Sequence, residues 1–233
     1  SVPTGPQHFA VALNLDTDLV NLTEDMDFDG IEDDEDDCLI VPGTSTQDRV
    51  GCPDTDGDGY SDPNATWTVA NGADAFINEI TQWADTDGDG YGDNQAGVSP
   101  DGCIAVVGTS TGDRYGCPDS DSDSFTDPDV LWTVALGADA CETVAGTSSQ
   151  DRSGCPDEDS YGYSDPDPTG TSGPVWLVAD GADAFTGDST QWVDTDGDGY
   201  GDNPPPATLG DSCPAVSGSS SQDRLGCTDS DGD

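Results

Sequence analysis

The sequence predicts an elongated tandem repeat array with little regular secondary structure and a few short β-strands, held by cross-links rather than by a large apolar core. Three observations predict it. One cysteine spacing recurs four times, and one acidic nine-residue pattern recurs six times. Only 32% of the 233 residues are hydrophobic, against 30 Gly and 16 Pro. There are 50 Asp plus Glu, 4 Lys plus Arg and a formal net charge of -46. Such self-repulsion opposes a compact state unless counter-ions neutralise it. Low hydrophobicity with high charge would by itself imply disorder, but eight cysteines and regularly spaced acids argue for a defined fold.

The charge excludes a nucleic-acid partner, since phosphate binding needs the opposite sign. It disfavours an anionic membrane surface too, and no apolar run is long enough to insert into a bilayer. An even number of cysteines implies disulfides, which persist outside the cytosol. Two glycosylation sequons, at Asn21 and Asn64, agree with an extracellular or cell-surface glycoprotein. The chain begins at Ser1 and ends within an acidic loop, at residues 229–233. The expectation is a piece of a longer array whose signal or upstream region is missing.

The cysteine pairs are Cys38 with Cys52, Cys103 with Cys117, Cys141 with Cys155 and Cys213 with Cys227, each enclosing thirteen residues of one type (LIVPGTSTQDRVG in the first). The repeated spacing favours bonds within each pair, although spacing alone leaves the connectivity open. After the second cysteine come an acidic loop and an apolar stretch beginning at Trp67, Trp132 or Trp176, which leads into Gly-Ala-Asp-Ala. Two units add a Thr-Gln-Trp segment, with Trp83 or Trp192, and a second acidic loop; the middle unit lacks both. The organisation reads as a strand-like segment (1–24), an acidic loop with its Cys loop (25–52), a long repeat (53–117), a short repeat (118–155), a long repeat (156–227) and the start of the next (228–233).

The acidic loops carry the chemistry. Loops 85–93 and 194–202 are near copies of DTDGDGYGD, and loop 54–62 differs by one serine. Carboxylates at positions 1, 3 and 5 converge when the backbone curls, Gly at position 6 permits the turn, the position-7 carbonyl points inward, and position 9 adds an acid directly or through water. The ligands so read are Asp54, Asp56, Asp58, Tyr60 and Asp62; Asp85, Asp87, Asp89, Tyr91 and Asp93; and Asp194, Asp196, Asp198, Tyr200 and Asp202, the tyrosines through their carbonyls. An all-oxygen, flexible cage favours Ca²⁺ over Mg²⁺, and Zn²⁺ prefers nitrogen and sulfur. Two loops depart from the pattern. Loop 119–127 supplies Asp119, Asp121, Asp123 and Asp127 but has Ser124 at position 6. Loop 157–165 supplies Asp157, Asp159 and Asp165 but has Tyr161 at position 5, which removes a ligand. Both are expected to bind more weakly or to borrow ligands. Position 12 is Ala65, Ala96, Val130, Pro168 or Pro205, never the bidentate Glu of a helix-flanked site. The missing ligand must come from further along the chain, with Asp74, Asp139 and Asp183 of the Gly-Ala-Asp-Ala stretches, and Asp101 or Asp211 before a cysteine, as candidates.

Residues 25–38 read DMDFDGIEDDEDDC. This segment resembles a thrombospondin type 3 repeat, DxDxDGxxDxxD followed closely by Cys, and the other loops are similar to shorter versions of it. The resemblance covers about half of the chain and extends to repeats on prokaryotic surface proteins. It implies a chain with little secondary structure wrapped around many calcium ions, an extracellular structural or adhesive role, and Asp25, Asp27, Asp29, Asp33 and Asp36 as ligands. The thirteen-residue Cys loops and the Trp segments lie outside that pattern.

A core this lean needs disulfides and metals to stabilise it. All four cations are arginines in one slot of the Cys loops, Arg49, Arg114, Arg152 and Arg224, expected to clamp each loop onto an acidic neighbour. The tryptophans read as local mini-cores or as sugar-stacking platforms. The single histidine, His8, lies outside the repeats and supports no catalytic set, so an enzyme is not expected. The leading function is a calcium-binding structural or adhesive array, a segment of a surface stalk or extracellular filament. The alternative is a calcium-dependent module that recognises a carbohydrate or protein. Residues 9–15 alternate like a strand, and would pair either within the chain, against residues 104–107, or with a neighbouring subunit in self-association.

Overall fold

The structure is a computed structural model that describes residues 24–204 and 206–232. The Asn21 sequon, His8, Pro205 and the strand-like residues 9–15 lie outside the described residues. Regular structure among the described residues amounts to three single 3₁₀ turns, Val69–Asn71, Val134–Leu136 and Val178–Asp180. Three isolated bridges join Gly92 to Pro100, Asp167 to Trp176 and Gly201 to Gly210. The expected short strands are therefore reduced to bridges. Gly, Asp and Pro are poor strand formers, and many backbone N–H groups are taken by nearby Asp carboxylates instead of a ladder. Residues 104–107, considered as a strand partner, begin in a turn closed by Val106 N–H on the Cys103 carbonyl at 2.7 Å.

The chain divides into two compact units, Ser1–Asp62 and Pro63–Asp233. The division falls after Asp62 rather than after Cys52, because the first Cys loop grips loop 54–62. Thr46 and Gln47 donate their N–H groups to the Gly59 carbonyl at 2.8 and 2.9 Å. Ser61 donates its N–H and its hydroxyl to Asp48 at 2.9 and 2.6 Å.

All four disulfides close within their own pair, Cys38–Cys52, Cys103–Cys117, Cys141–Cys155 and Cys213–Cys227. Each resulting loop is a clip that grips backward, and the first three grip forward as well. Backward, a glycine N–H donates to the position-5 carboxylate of the preceding acidic loop: Gly43 to Asp29, Gly108 to Asp89, Gly146 to Asp123 and Gly218 to Asp198, all at 2.9–3.0 Å. Forward, the clip holds positions 6 and 8 of the next acidic loop. In the second unit Gly112 donates to the Ser124 carbonyl, and Ser149 and Gln150 donate to that of Gly162. Position 8 (Thr126 or Ser164) donates to Asp113 or Asp151.

The arginines brace the clips from inside. Arg114 donates to the Gly102 carbonyl at 2.6 Å and pairs with Asp129 at 3.2 Å. Arg49 and Arg152 donate to the Asp37 and Ala140 carbonyls, one residue before a cysteine. Arg114 and Arg152 also lie over Trp132 and Trp176, at 5.7 and 5.4 Å from the ring centroids. Burial works against the charge of Asp113, but donors from Thr126, Arg114, Trp132 and Ser110 hold its carboxyl below the usual range.

The interior is polar. Among the described residues the buried apolar side chains are cysteines and the alanines Ala73, Ala138 and Ala182. The largest fully buried ones are Gln82 and Gln191, followed by Thr126 and several aspartates. Larger apolar residues such as Ile40, Val107 and Leu131 stay exposed. Gln82 and Gln191 replace a hydrophobic core by spanning a loop: Gln82 donates to the carbonyls of Asn94 and Val98 and accepts from Asn94, and Gln191 makes the same set with Asn203 and Thr208.

Candidate metal centres

Every acidic loop winds around its first aspartate. In loop 85–93, Gly88 and Gly90 donate their N–H groups to the two oxygens of Asp85, at 2.7 and 3.0 Å. Positions 4 and 6 donate likewise to Asp25, Asp54, Asp119, Asp157 and Asp194. To point both N–H groups inward, positions 4 and 6 take positive φ in all six loops, from 61° at Ser160 to 111° at Gly162. Glycine enters that region freely. Phe28, Ser122, Ser124 and Ser160 enter it against their side chains. The requirement at position 4 escaped the sequence reading. Its signal was Gly57, Gly88 and Gly197, masked by the other residues in that slot.

This winding gathers carboxylates. Five triplets, Asp25/Asp27/Asp29, Asp54/Asp56/Asp58, Asp85/Asp87/Asp89, Asp119/Asp121/Asp123 and Asp194/Asp196/Asp198, each offer oxygens within 4.8 Å of one another. These groups could hold metal ions. Loop 157–165 keeps the winding but forms no such triplet, because Tyr161 replaces the third acid. Loop 119–127 keeps its triplet although Ser124 stands at position 6 with φ 86°.

In four of the loops the backbone of a later acid is tied to position 8 by a shared device. Asp101 and Asp211 donate their N–H groups to the position-8 carbonyls of Gly92 and Gly201, at 2.9 and 2.7 Å. Asp139 and Asp183 donate to those of Thr126 and Ser164, both at 2.9 Å. The connectors differ. In the second case a 3₁₀ turn ends at Gly137 or Gly181 with positive φ, and the next N–H, on Ala138 or Ala182, closes on Thr133 or Leu177. Each late acid then accepts from the N–H two residues on: Cys38 to Asp36, Phe76 to Asp74, Cys103 to Asp101, Cys141 to Asp139, Phe185 to Asp183 and Cys213 to Asp211, all at 2.7 Å. That fixes one oxygen and aims the carboxylate.

The other predicted ligands take supporting positions. In four loops the position-9 carboxylate closes the ring onto residue 2: Asp62, Asp93, Asp127 and Asp202 accept from both the N–H and the hydroxyl of Thr55, Thr86, Ser120 and Thr195. Asp33 accepts only the Met26 N–H. Tyr60, Tyr91 and Tyr200 donate their N–H groups to the position-5 acids at 2.8–3.0 Å. Asn64 is exposed, its Oδ1 accepting from Thr66 and Trp67.

The oxygens left over are the most telling. Position 3 of all six loops, Asp27, Asp56, Asp87, Asp121, Asp159 and Asp196, holds at least one buried carboxylate oxygen with no hydrogen-bond donor. So do the late acids Asp101, Asp139 and Asp211, which are 1%, 0% and 6% exposed. A buried acceptor without a donor is costly, and a buried charge without a partner more so. Burial, followed among the raising influences by the charges of Asp123 and Asp121, pushes the Asp139 carboxyl up to about 7. Burial likewise raises Asp101, Asp87, Asp121 and Asp196. The donor set is hard oxygen only. Oxygens around a calcium ion at about 2.3–2.6 Å lie at most about 5 Å apart, which the triplets match.

The fold and these sites together define a disulfide-stabilised, Asp-rich protein of low regularity with recurring groups suited to metal ions. No protein-family model matches the chain, and no curated protein matches it. Four disulfides are typical of extracellular proteins, and no helix among the described residues is long and apolar enough to cross a membrane.

Proposed function

We propose that the chain is an extracellular calcium-binding repeat protein of the thrombospondin type 3 kind, with a structural or adhesive role rather than a catalytic one. The observation that carries this reading is the repeated set of buried carboxylate oxygens without donors, one at position 3 of every loop and one on three of the late acids. A solvated acidic turn has no reason to hide them. Asp85, Asp87, Asp89 and Asp101 would hold an ion in loop 85–93, with the Tyr91 carbonyl completing the oxygen set. Asp119, Asp121, Asp123 and Asp139 would do so in loop 119–127, and Asp194, Asp196, Asp198 and Asp211 in loop 194–202. The bound cation supplies positive charge at the centre of each ring, and the chain supplies position.

The disulfide clips make that role mechanical. The clips at 103–117 and 141–155 each grip the position-5 acid of one loop and the backbone of the next, so ordering one loop orders the clip beside it. Such coupling suits a stalk or filament that stiffens in the millimolar calcium of the extracellular space, where modules bind with dissociation constants of about 10⁻⁴–10⁻³ M. The test is small-angle scattering of the whole chain in calcium and in EGTA. Chelation is expected to expand it, and identical curves would remove the reading.

A further inference from the structure

Tyr91 of the acidic loop 85–93 and Tyr115 of the 103–117 clip stack on each other, with ring centroids 5.6 Å apart and 30° between the planes. We propose that this pair is a site of oxidative cross-linking, at which a haem peroxidase acting with hydrogen peroxide joins the two rings as dityrosine and fastens the clip to the loop. The inference goes beyond the calcium reading and does not depend on it.

Backbone bonds on both sides of the junction set the two rings. Tyr91 donates its N–H to Oδ1 of Asp89 at 2.9 Å, and Gly108 of the clip donates to Oδ2 of the same aspartate at 3.0 Å. The Tyr115 carbonyl accepts from the Gly102 N–H at 2.8 Å. The same two slots in the other units hold Ile31 with Val50, Phe125 with Ser153, and Tyr200 with Leu225. Both slots carry a phenol at one junction of the four. Tyr115 is 38% exposed and Tyr91 is half-buried, so a small oxidant reaches the pair from solvent. Tyr161 and Tyr163 also stack, at 6.1 Å, but they are two residues apart and both lie against Trp192, at 4.7 and 5.3 Å. A bond there would tie a loop to itself.

The chemistry balances. Each phenol loses one electron and one proton and becomes a phenoxyl radical. The two radicals form one C–C bond between ring carbons ortho to the oxygens, and the hydrogen on each of those carbons moves to the phenol oxygen, which restores both rings. Peroxide takes up the two electrons and two protons and leaves as two waters. Holding the rings in contact makes the coupling step effectively unimolecular. The competing reaction joins two copies of the chain, and a formal net charge of -46 on each opposes it. The product is a covalent tie across the grip of Gly108 on Asp89, so clip and loop stay joined when that hydrogen bond opens.

The positions of the arginines allow a direct test. The whole chain is treated with a haem peroxidase and limiting hydrogen peroxide, then reduced, alkylated and digested with trypsin. Cleavage after Arg49, Arg114 and Arg152 places Tyr91 in peptide 50–114 and leaves Tyr115 as the single tyrosine of peptide 115–152. With the Cys103–Cys117 bond reduced, a tyrosine cross-link is what holds these two peptides together. Wild type is expected to yield the joined peptide with dityrosine fluorescence. Tyr91→Phe and Tyr115→Phe, which keep a ring and remove one phenol, are each expected to lose it. Oxidising the reduced chain in urea is expected to lower its yield about tenfold or more, because contact no longer holds the rings. Absence of the joined peptide in wild type, its survival in Tyr91→Phe, an equal yield in urea, or covalent dimers of the chain in its place would each overturn the proposal.

Discussion

Loops 119–127 and 157–165 both depart from the repeat, but at different kinds of position. In the first, serines occupy positions 4 and 6, yet the backbone adopts the same positive φ and the carboxylate triplet survives. In the second, the winding is equally intact, but Tyr161 stands where a carboxylate should be and the triplet is gone. The backbone path is set by the two oxygens of the first aspartate, so positions 4 and 6 tolerate side chains at a cost in strain. Position 5 faces inward, and its loss removes the triplet.

Chelation should give the largest effect. Hydrogen exchange in EGTA is expected to lose protection across 119–139 and 157–183 alike. On titration with calcium, by mass action, 119–139 should recover first because its triplet is whole. Recovery of 157–183 at lower calcium would invert the ranking. The clip between these loops comes next. Removing it with C141S/C155S should cost about 3 kcal/mol of calcium-loaded stability, read by denaturant titration, and should loosen both loops since Gly146 holds Asp123 and Ser149 holds Gly162. An effect confined to one loop would break the two-grip picture.

A smaller effect is expected from Ser124→Gly. A non-glycine residue in the left-handed region costs of order 1–3 kcal/mol, and glycine's extra unfolded freedom takes back about 0.5–1 kcal/mol. The net gain should be about 1 kcal/mol, seen as tighter calcium in chelator competition; the analogous change at Tyr161 should not mimic it. The finest distinction is in pH. Without metal, Asp139 is raised to about 7, and Asp165 and Asp183 to about 6, above the ordinary 3.8. The folded state then binds protons that the unfolded state has released, so metal-free stability is greatest in acid and falls as pH rises through these values. Melting in EGTA should show the decline ending near pH 6 around Asp183 and near pH 7 around Asp139. A rise in metal-free stability from pH 4 to 8 would contradict the burial that raises these carboxylates.

Much of this was legible because chemistry and period coincide. Asp85, Asp87 and Asp89 announce a cluster by alternation, and the constant cysteine spacing announced the clips. Asp101, Asp139, Asp183 and Asp211 were legible by elimination, since position 12 had no acid. Position 9 was legible only as an acid. That Asp93 closes onto Thr86 depends on the hydroxyl at position 2, and a hydroxyl in an acidic run looks like filler. The clips' backward grip was hidden for a similar reason: Gly108 reaches Asp89 with its backbone N–H, which no side-chain pattern encodes. Residues 104–107 were considered as the pairing partner of a strand at 9–15, but Cys103 closes a tight turn there before a ladder can start.

The polar interior has a thermal consequence. Unfolding raises heat capacity through newly wetted apolar surface and lowers it through newly wetted polar surface. Here much of the apolar surface is wet already, as at Phe28, Val130 and Leu131, while the groups released from burial are mainly Asp, Ser, Gln, Ala and half-cystine. The two contributions oppose each other, so the curve of stability against temperature should be flatter than that of a protein with an apolar core. Warming and cooling should then act on such a chain less than the composition of the water around it.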